Sequence, residues 1–296
     1  MHCPRLEHFV RFNPNGTVGC CGHMTNSPGF KSYEELQSSK WLSEIKNEMS
    51  RDAWPIECQR CKTTEKLSNT SIRIDSIKRD HAFKNLRKDY LIVGGVLDNV
   101  CNSGCLTCSA EHSTKIGSLT SKKYIKINNT DRFWSLPQDR IVHLDINGGE
   151  PSHSKNYKYI LANLPKNVKS IRLNTNCTTV LEELLPLSES GIHVTVTVSL
   201  DGIGAVHDFV RWPITWDKFY KNLMVYKNMP VKLNLWTTVS VLNIDDLLNI
   251  ISFAQEHGID HSYAYLTTPS ELAVENKDTP ASLAYILEQK RLRGME

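Results

Sequence analysis

Three cysteines stand close together in the run Val100-Cys101-Asn102-Ser103-Gly104-Cys105-Leu106-Thr107-Cys108. Three thiolates are one fewer than a closed iron–sulfur or zinc site needs, so this C-x3-C-x2-C spacing suggests a metal cluster with one coordination position left for a ligand. Asn102, Ser103, Gly104 and Thr107 between the thiols read as a tight loop rather than a core strand. The structural alternative is three cysteines used as small buried side chains, or a zinc site completed by a distant residue.

Five more thiols precede this run: Cys3, the neighbours Cys20 and Cys21, and Cys58 with Cys61 in a C-x2-C pair. Together they can form a four-thiolate site, for which iron–sulfur and zinc are both chemically suitable. The remaining cysteine, Cys177, follows Asn174-Thr175-Asn176. A thiol there could return a hydrogen atom to a substrate radical, although a buried structural cysteine is the ordinary outcome. Downstream of the three-cysteine run lies Asn147-Gly148-Gly149-Glu150-Pro151. Two glycines let a backbone approach a ligand closely, and a carboxylate beside them can accept from an ammonium group. Taken alone, the Gly-Gly-Glu run is a weak signal that reads first as a plain turn.

The elements that must position these residues alternate. Strands are expected at 90–97, 141–146, 168–175, 193–200, 231–241 and 259–266, where β-branched or alternating apolar residues dominate. Amphipathic stretches lie between them. In one, Asn243 is the expected N-cap, Asp245 and Asp246 occupy the first turn, and Gly258 ends the helix. This alternation implies an α/β fold, a partial (β/α)6 TIM-like barrel whose ligand sites lie at the C-terminal ends of its strands. Asn174, Asn176, Ser199 and Asp201 fall at such ends, and Arg211 follows in Gly202-Ile203-Gly204-Ala205-Val206-His207-Asp208-Phe209-Val210-Arg211. In the N-terminal third, Asn13-Pro14-Asn15-Gly16 reads as a hairpin turn. Ser32-Tyr33-Glu34-Glu35 opens a helix toward Met49 with Leu36, Trp41, Leu42, Ile45 and Met49 on its apolar face.

The three-cysteine spacing after a strand, with Gly148-Gly149-Glu150 following, resembles the radical S-adenosylmethionine enzymes. That resemblance implies a [4Fe–4S] cluster on Cys101, Cys105 and Cys108, with S-adenosylmethionine on the fourth iron, cleaved reductively to a 5′-deoxyadenosyl radical. It implies that Gly148, Gly149 and Glu150 hold the methionine amino group. Asn174 or Asn176, Ser199 and Asp201 would then face the ribose, and Arg211 would pair with the carboxylate. The Ser199-Leu200-Asp201-Gly202 to Arg211 segment is similar to the peptide-modifying branch, which implies a peptide or protein substrate. A flavodoxin or ferredoxin is then the expected electron donor. Thr107 stands where many relatives carry an aromatic residue.

The N-terminal thiols resemble the SPASM or twitch modules that carry an auxiliary cluster, although such modules usually follow the core. This resemblance nominates Cys3, Cys58, Cys61 and one of Cys20 and Cys21, with zinc as the alternative occupant. The expected organisation is a cysteine-rich module at 1–75, a linker at 76–88, the core at 89–268 and a tail helix at 269–296, opened by Thr279-Pro280 and stopped by Gly294. The basic run Lys78 to Lys88 reads as a solvated linker helix rather than a phosphate-binding patch.

The chain has 296 residues, nine cysteines and a net charge of +3. That charge is too modest to imply nucleic acid. With no signal-like N-terminus and no apolar run near twenty residues, a reducing cytoplasm is expected, and no membrane. His143, Asp145, His207, Tyr263 and Tyr265 read as structural polar groups, and no general acid or base is assigned. Two other readings of function stay open: the same radical chemistry on a nucleotide, sugar or other small molecule, and a cluster-bearing electron carrier or zinc-stabilised binding module without catalysis.

Overall fold

The structure, a computed structural model, describes residues 1–120 and 126–295. The chain forms two compact units: Met1–Leu97, Ile127–Asn147 and Leu164–Ile171 in the first, and Asp98–Lys126, Gly148–Asn163 and Arg172–Glu296 in the second.

The first unit holds β1 (Phe9–Phe12), β2 (Val18–Gly19), β3 (Leu91–Val96) and β4 (Ile141–Asn147). β1 and β2 are the expected antiparallel hairpin. Its turn closes as the Asn13 N–H donates to the Thr17 carbonyl at 2.8 Å. β1 also runs parallel to β3, so the cysteine-rich segment shares a sheet with the strand that leads into the three-cysteine run. β3 is buried along its whole length and pairs parallel with β4. The helix expected to run from Ser32 toward Met49 is two helices, Tyr33–Ser38 and Lys40–Ser50. Ser39 breaks them: its backbone is extended, and its hydroxyl caps the second helix by accepting from the Leu42 N–H. Leu36, Leu42, Ile45 and Met49 are nonetheless buried together as the apolar spacing requires. The basic run lies mostly in the helix Ile72–Leu86, whose Asp75 and Asp80 pair with Lys78 and Lys84.

β5 (Ser170–Thr175) begins in the first unit and ends in the second, where β6 (His193–Ser199), β7 (Lys232–Val239) and β8 (Asp260–Tyr265) follow. The strand order is β2-β1-β3-β4-β5-β6-β7-β8, with parallel pairing at β1–β3, β3–β4, β6–β7 and β7–β8. β3 to β8 are the six strands expected of a partial (β/α)6 barrel, and the fold is α/β. On β5 and β6 the alternation is visible in burial: Ile171, Leu173, Val194, Val196 and Val198 are buried, while Asn174, Thr195 and Ser199 on the other face are half-buried. Phe219, Leu223 and Tyr226 of the helix Trp216–Asn228 are fully buried.

Asn243 does not cap its helix. Its amide donates to the Asp201 and Thr238 carbonyls and accepts from the Ser240 N–H, tying two strand ends together, while the helix itself begins at Leu247 after a short 3-10 turn. The last helix, Pro280–Arg293, has the expected boundaries: Thr279 caps it and Gly294 stops it in the left-handed region. No described helix is long and apolar enough to cross a membrane.

Candidate active site and a second thiol site

The three-cysteine run lies in the second unit as a loop after β3, pinned along its length. The Gly104 N–H donates to the Trp212 carbonyl at 2.8 Å and the Leu106 N–H to that of Val210 at 2.9 Å. The Ser113 hydroxyl donates to the Ser103 carbonyl at 2.7 Å, and the Ser103 N–H points at Cys101 Sγ at 3.4 Å. Burial pushes the Cys101 thiol up to about 11 and Cys108 up to about 12, and the neighbouring cysteines add to both shifts. Cys105 thus opposes ionisation of both Cys101 and Cys108. A cationic metal centre among them would reverse that, since thiolates are its ligands.

The glycine turn behind the loop is packed against it. Gly148 and Gly149 have φ of +79° and +61°, and a Cβ at Gly149 would lie 2.7 Å from the Asp98 and Val100 carbonyls. Gly149 is thus required by the backbone it rests on. Glu150 is fully buried and fully engaged. Its Oε1 accepts from the Ser152 N–H, the Ser152 hydroxyl and the Thr175 hydroxyl at 3.0, 2.7 and 2.8 Å, and its Oε2 from the Asn176 N–H at 2.6 Å. The carboxylate expected to meet an ammonium fastens the glycine turn to the end of β5.

Asn176 continues that link. Its Nδ2 donates to Ser103 Oγ at 2.7 Å and Asn102 Oδ1 at 2.9 Å, and lies 4.0 Å from Cys101 Sγ. It braces the cysteine loop, whereas Asn174 and Ser199 stand half-buried at the ends of β5 and β6. Asp201 is 1% exposed: one oxygen accepts from the Thr238 N–H at 2.8 Å and the other from Arg211 Nη1 at 3.0 Å. Burial alone would lower the Arg211 pKa, but the Cys105 sulfur and the Asp201 carboxylate outweigh it and hold the guanidinium charged. Its buried Nε has no partner among the described residues. A buried, charged donor left unpaired beside a thiol loop is a costly arrangement that an anionic ligand would resolve.

His207 is packed on Phe219 and Trp216, and burial with the nearby Arg211 brings it down to about 3, so it is neutral. Cys177 does not face this site. It is fully buried, has φ of +61°, and its sulfur lies 3.8 Å from the Phe219 carbonyl of the helix Trp216–Asn228.

The second thiol group is built by the first unit. Cys3, Cys21, Cys58 and Cys61 line one cavity with Arg5, His23 and Arg73, enclosing about 320 Å³ including the solvent at its mouth. Cys20 does not line it, and its Sγ lies 3.5 Å from Met24 Sδ. The His23 N–H donates to Cys21 Sγ at 3.4 Å, and the backbone N–H groups of Arg5 and Arg73 face Cys3 and Cys61, while the Ser71 hydroxyl donates to Glu65 Oε1 at 2.6 Å. Arg5 is buried, lies over the Phe9 ring at 3.6 Å, and its Nε has no partner among the described residues. Burial, together with Arg60, Arg5 and Arg11, brings His23 down to about 4, leaving it neutral. Neither arginine beside the cavity was singled out by the sequence, because a lone arginine carries no spacing signal.

The structural comparison matches Streptococcus suis SuiB bound to the precursor peptide SuiA at 14% identity, covering 96% of this chain and 67% of that one, with a TM-score of 0.48. SuiB bound to S-adenosylmethionine matches at 14% identity over 98% of this chain and 70% of that one, with a TM-score of 0.44. No curated protein matches. The family profile described as the radical SAM superfamily matches residues 97–254, more than half of the chain, including the three-cysteine loop, the glycine turn and Arg211. The chain therefore belongs to the radical SAM superfamily.

Proposed function

We propose that this radical SAM enzyme abstracts a hydrogen atom from a peptide or protein, using a [4Fe–4S] cluster on Cys101, Cys105 and Cys108 and a second iron–sulfur cluster on Cys3, Cys21, Cys58 and Cys61. The bound cluster and S-adenosylmethionine supply reductive cleavage of the sulfonium and hydrogen-atom abstraction. The observation that carries this reading is the buried Arg211, which Asp201 holds near the sulfur of Cys105 and whose Nε has no partner among the described residues. It offers a charged donor to the ligand's carboxylate. Gly148 and Gly149 supply a backbone turn for the ammonium, and Asn174 and Ser199 face the ribose from their strand ends. Glu150, Asn176 and Asp201 act one step back: they hold the turn, the cysteine loop and Arg211.

For the second site, the four thiols that line one cavity support the cluster, and a single zinc ion would draw on the same four thiols. The peptide preference rests on the resemblance of Ser199 to Arg211. A reduced flavodoxin or ferredoxin in a reducing cytoplasm completes the reading, since cluster thiols must stay reduced.

Anaerobic reconstitution with iron and sulfide, reduction, and chromatography for 5′-deoxyadenosine test it. Product should appear with S-adenosylmethionine and vanish in Cys105→Ala. An intact cluster that never yields it would leave the electron-carrier reading. Zinc retained by a protein lacking Cys101, Cys105 and Cys108 would overturn the second cluster.

A further inference from the structure

The cysteine loop is also held from the C-terminal end of the described chain. Arg293, in the last turn of the helix Pro280–Arg293, is 6% exposed. Its Nε donates to the Gly104 carbonyl at 2.6 Å and its Nη2 to the Cys105 carbonyl at 3.4 Å. Its Nη1 donates to the Gln289 carbonyl at 2.9 Å and to Gln289 Oε1 at 2.7 Å. All three nitrogens are engaged, so the guanidinium is fixed between its own helix and the loop. Only a planar fork can meet two consecutive carbonyls and a third acceptor at once. The N–H groups of Gly104 and Leu106 are held by the backbone carbonyls of Trp212 and Val210, and Asn102 and Ser103 by the neutral side chains of Asn176 and Ser113. Arg293 adds a charge to these anchors, and with Arg211 it is one of two guanidinium groups that act on the central thiol, Cys105, which is itself buried.

We propose that Arg293 is a positioning residue of the core cluster: its fork sets the backbone, and hence the sulfur direction, at Cys105, and its buried charge raises the cluster's reduction potential. The proposal rests on the [4Fe–4S] reading of Cys101, Cys105 and Cys108. A cation near a cluster in a low-dielectric site favours the more negative, reduced state, and outer-shell contacts decide how firmly ligands hold their metal. The helix Pro280–Arg293 is thereby part of the active site.

Three variants test this by EPR-monitored redox titration of the signal that S-adenosylmethionine perturbs, with iron release to a chelator as a second readout. Arg293→Gln should move that potential to more negative values and speed iron release about tenfold, the lower end of what outer-shell partners contribute. Arg293→Lys should restore the potential while iron release stays fast, because it keeps the charge and loses the fork. Thr279→Ala weakens the cap of the same helix without touching the loop, and should leave the potential unchanged. A potential identical in wild type and Arg293→Gln, or an equal shift in Thr279→Ala, overturns the proposal. If wild type gives no signal that S-adenosylmethionine perturbs, the underlying cluster reading has failed instead.

Discussion

The two thiol groups of this molecule use the same side chain in opposite ways. In the first unit, Cys3, Cys21, Cys58 and Cys61 line one cavity, four thiols in all. In the second, Cys101, Cys105 and Cys108 sit on a loop beside a glycine turn and supply three. Each group has a buried arginine whose Nε has no partner among the described residues, Arg5 in one and Arg211 in the other. The difference lies in what the arginine meets. Arg5 lies over the Phe9 ring at 3.6 Å, whereas Arg211 is paired through Nη1 with the Asp201 carboxylate. A closed site can carry electrons, and an open one can also do chemistry on a bound substrate.

Removing one sulfur from each group should separate those roles most sharply. Cys105→Ala should abolish 5′-deoxyadenosine formation, a loss beyond about a thousandfold, because a two-thiolate loop no longer holds its cluster. Iron analysis should then show only the share bound by the first unit. Cys21→Ala should do the converse, removing the first unit's iron and leaving the S-adenosylmethionine-perturbed EPR signal. Its neighbour sharpens the test, since Cys20→Ala should retain both iron pools. Equal iron loss in Cys20→Ala and Cys21→Ala would break the assignment of Cys21 as the fourth sulfur.

The arginines come next in size. Arg211→Lys keeps the charge opposite Asp201 but loses the fork, and should weaken S-adenosylmethionine binding about tenfold by calorimetry, the worth of one charge-assisted hydrogen bond. Arg5→Lys should leave that affinity unchanged. If both variants weaken it alike, Arg211 is not the carboxylate partner and the contrast between the two groups fails.

Much of this was legible in the sequence because it is local. The six parallel strands, the β1–β2 hairpin and the ends of the last helix follow from apolar period, turn residues and caps. The thiols were legible because cysteine is rare and its spacing specific. What escaped was the destination of polar side chains. Glu150, Asn176 and Asp201 could each have met a ligand, but in the fold they meet Ser152, Thr175, Asn102, Ser103, Thr238 and Arg211. A buried polar group must find partners wherever the chain brings them, and no short-range pattern encodes that. Asn243 is the same lesson in a cap: its sequence context suits a helix start, yet two carbonyls at strand ends outcompete the helix for its amide. Arg293 escaped for the same reason, 189 residues from the carbonyl it holds.

Cys177 offers the smallest and most discriminating effect. Its place after Asn174-Thr175-Asn176 suggested a thiol that could return a hydrogen atom to a substrate, but the fold turns it away. The left-handed backbone at φ of +61° directs its sulfur against the Phe219 carbonyl, in full burial. Burial also pushes its pKa up, with the Glu150 carboxylate adding to the shift, so it is held as the neutral thiol. Cys177→Ala removes one buried heavy atom and should cost about 1 kcal/mol, a fall in melting temperature of roughly 2 °C. It should leave 5′-deoxyadenosine yield and the configuration of any product unchanged. A variant that folds normally yet gives a different stereoisomer or accumulates an oxidised product would return Cys177 to the chemistry, and would mean that the helix Trp216–Asn228 moves aside when substrate binds.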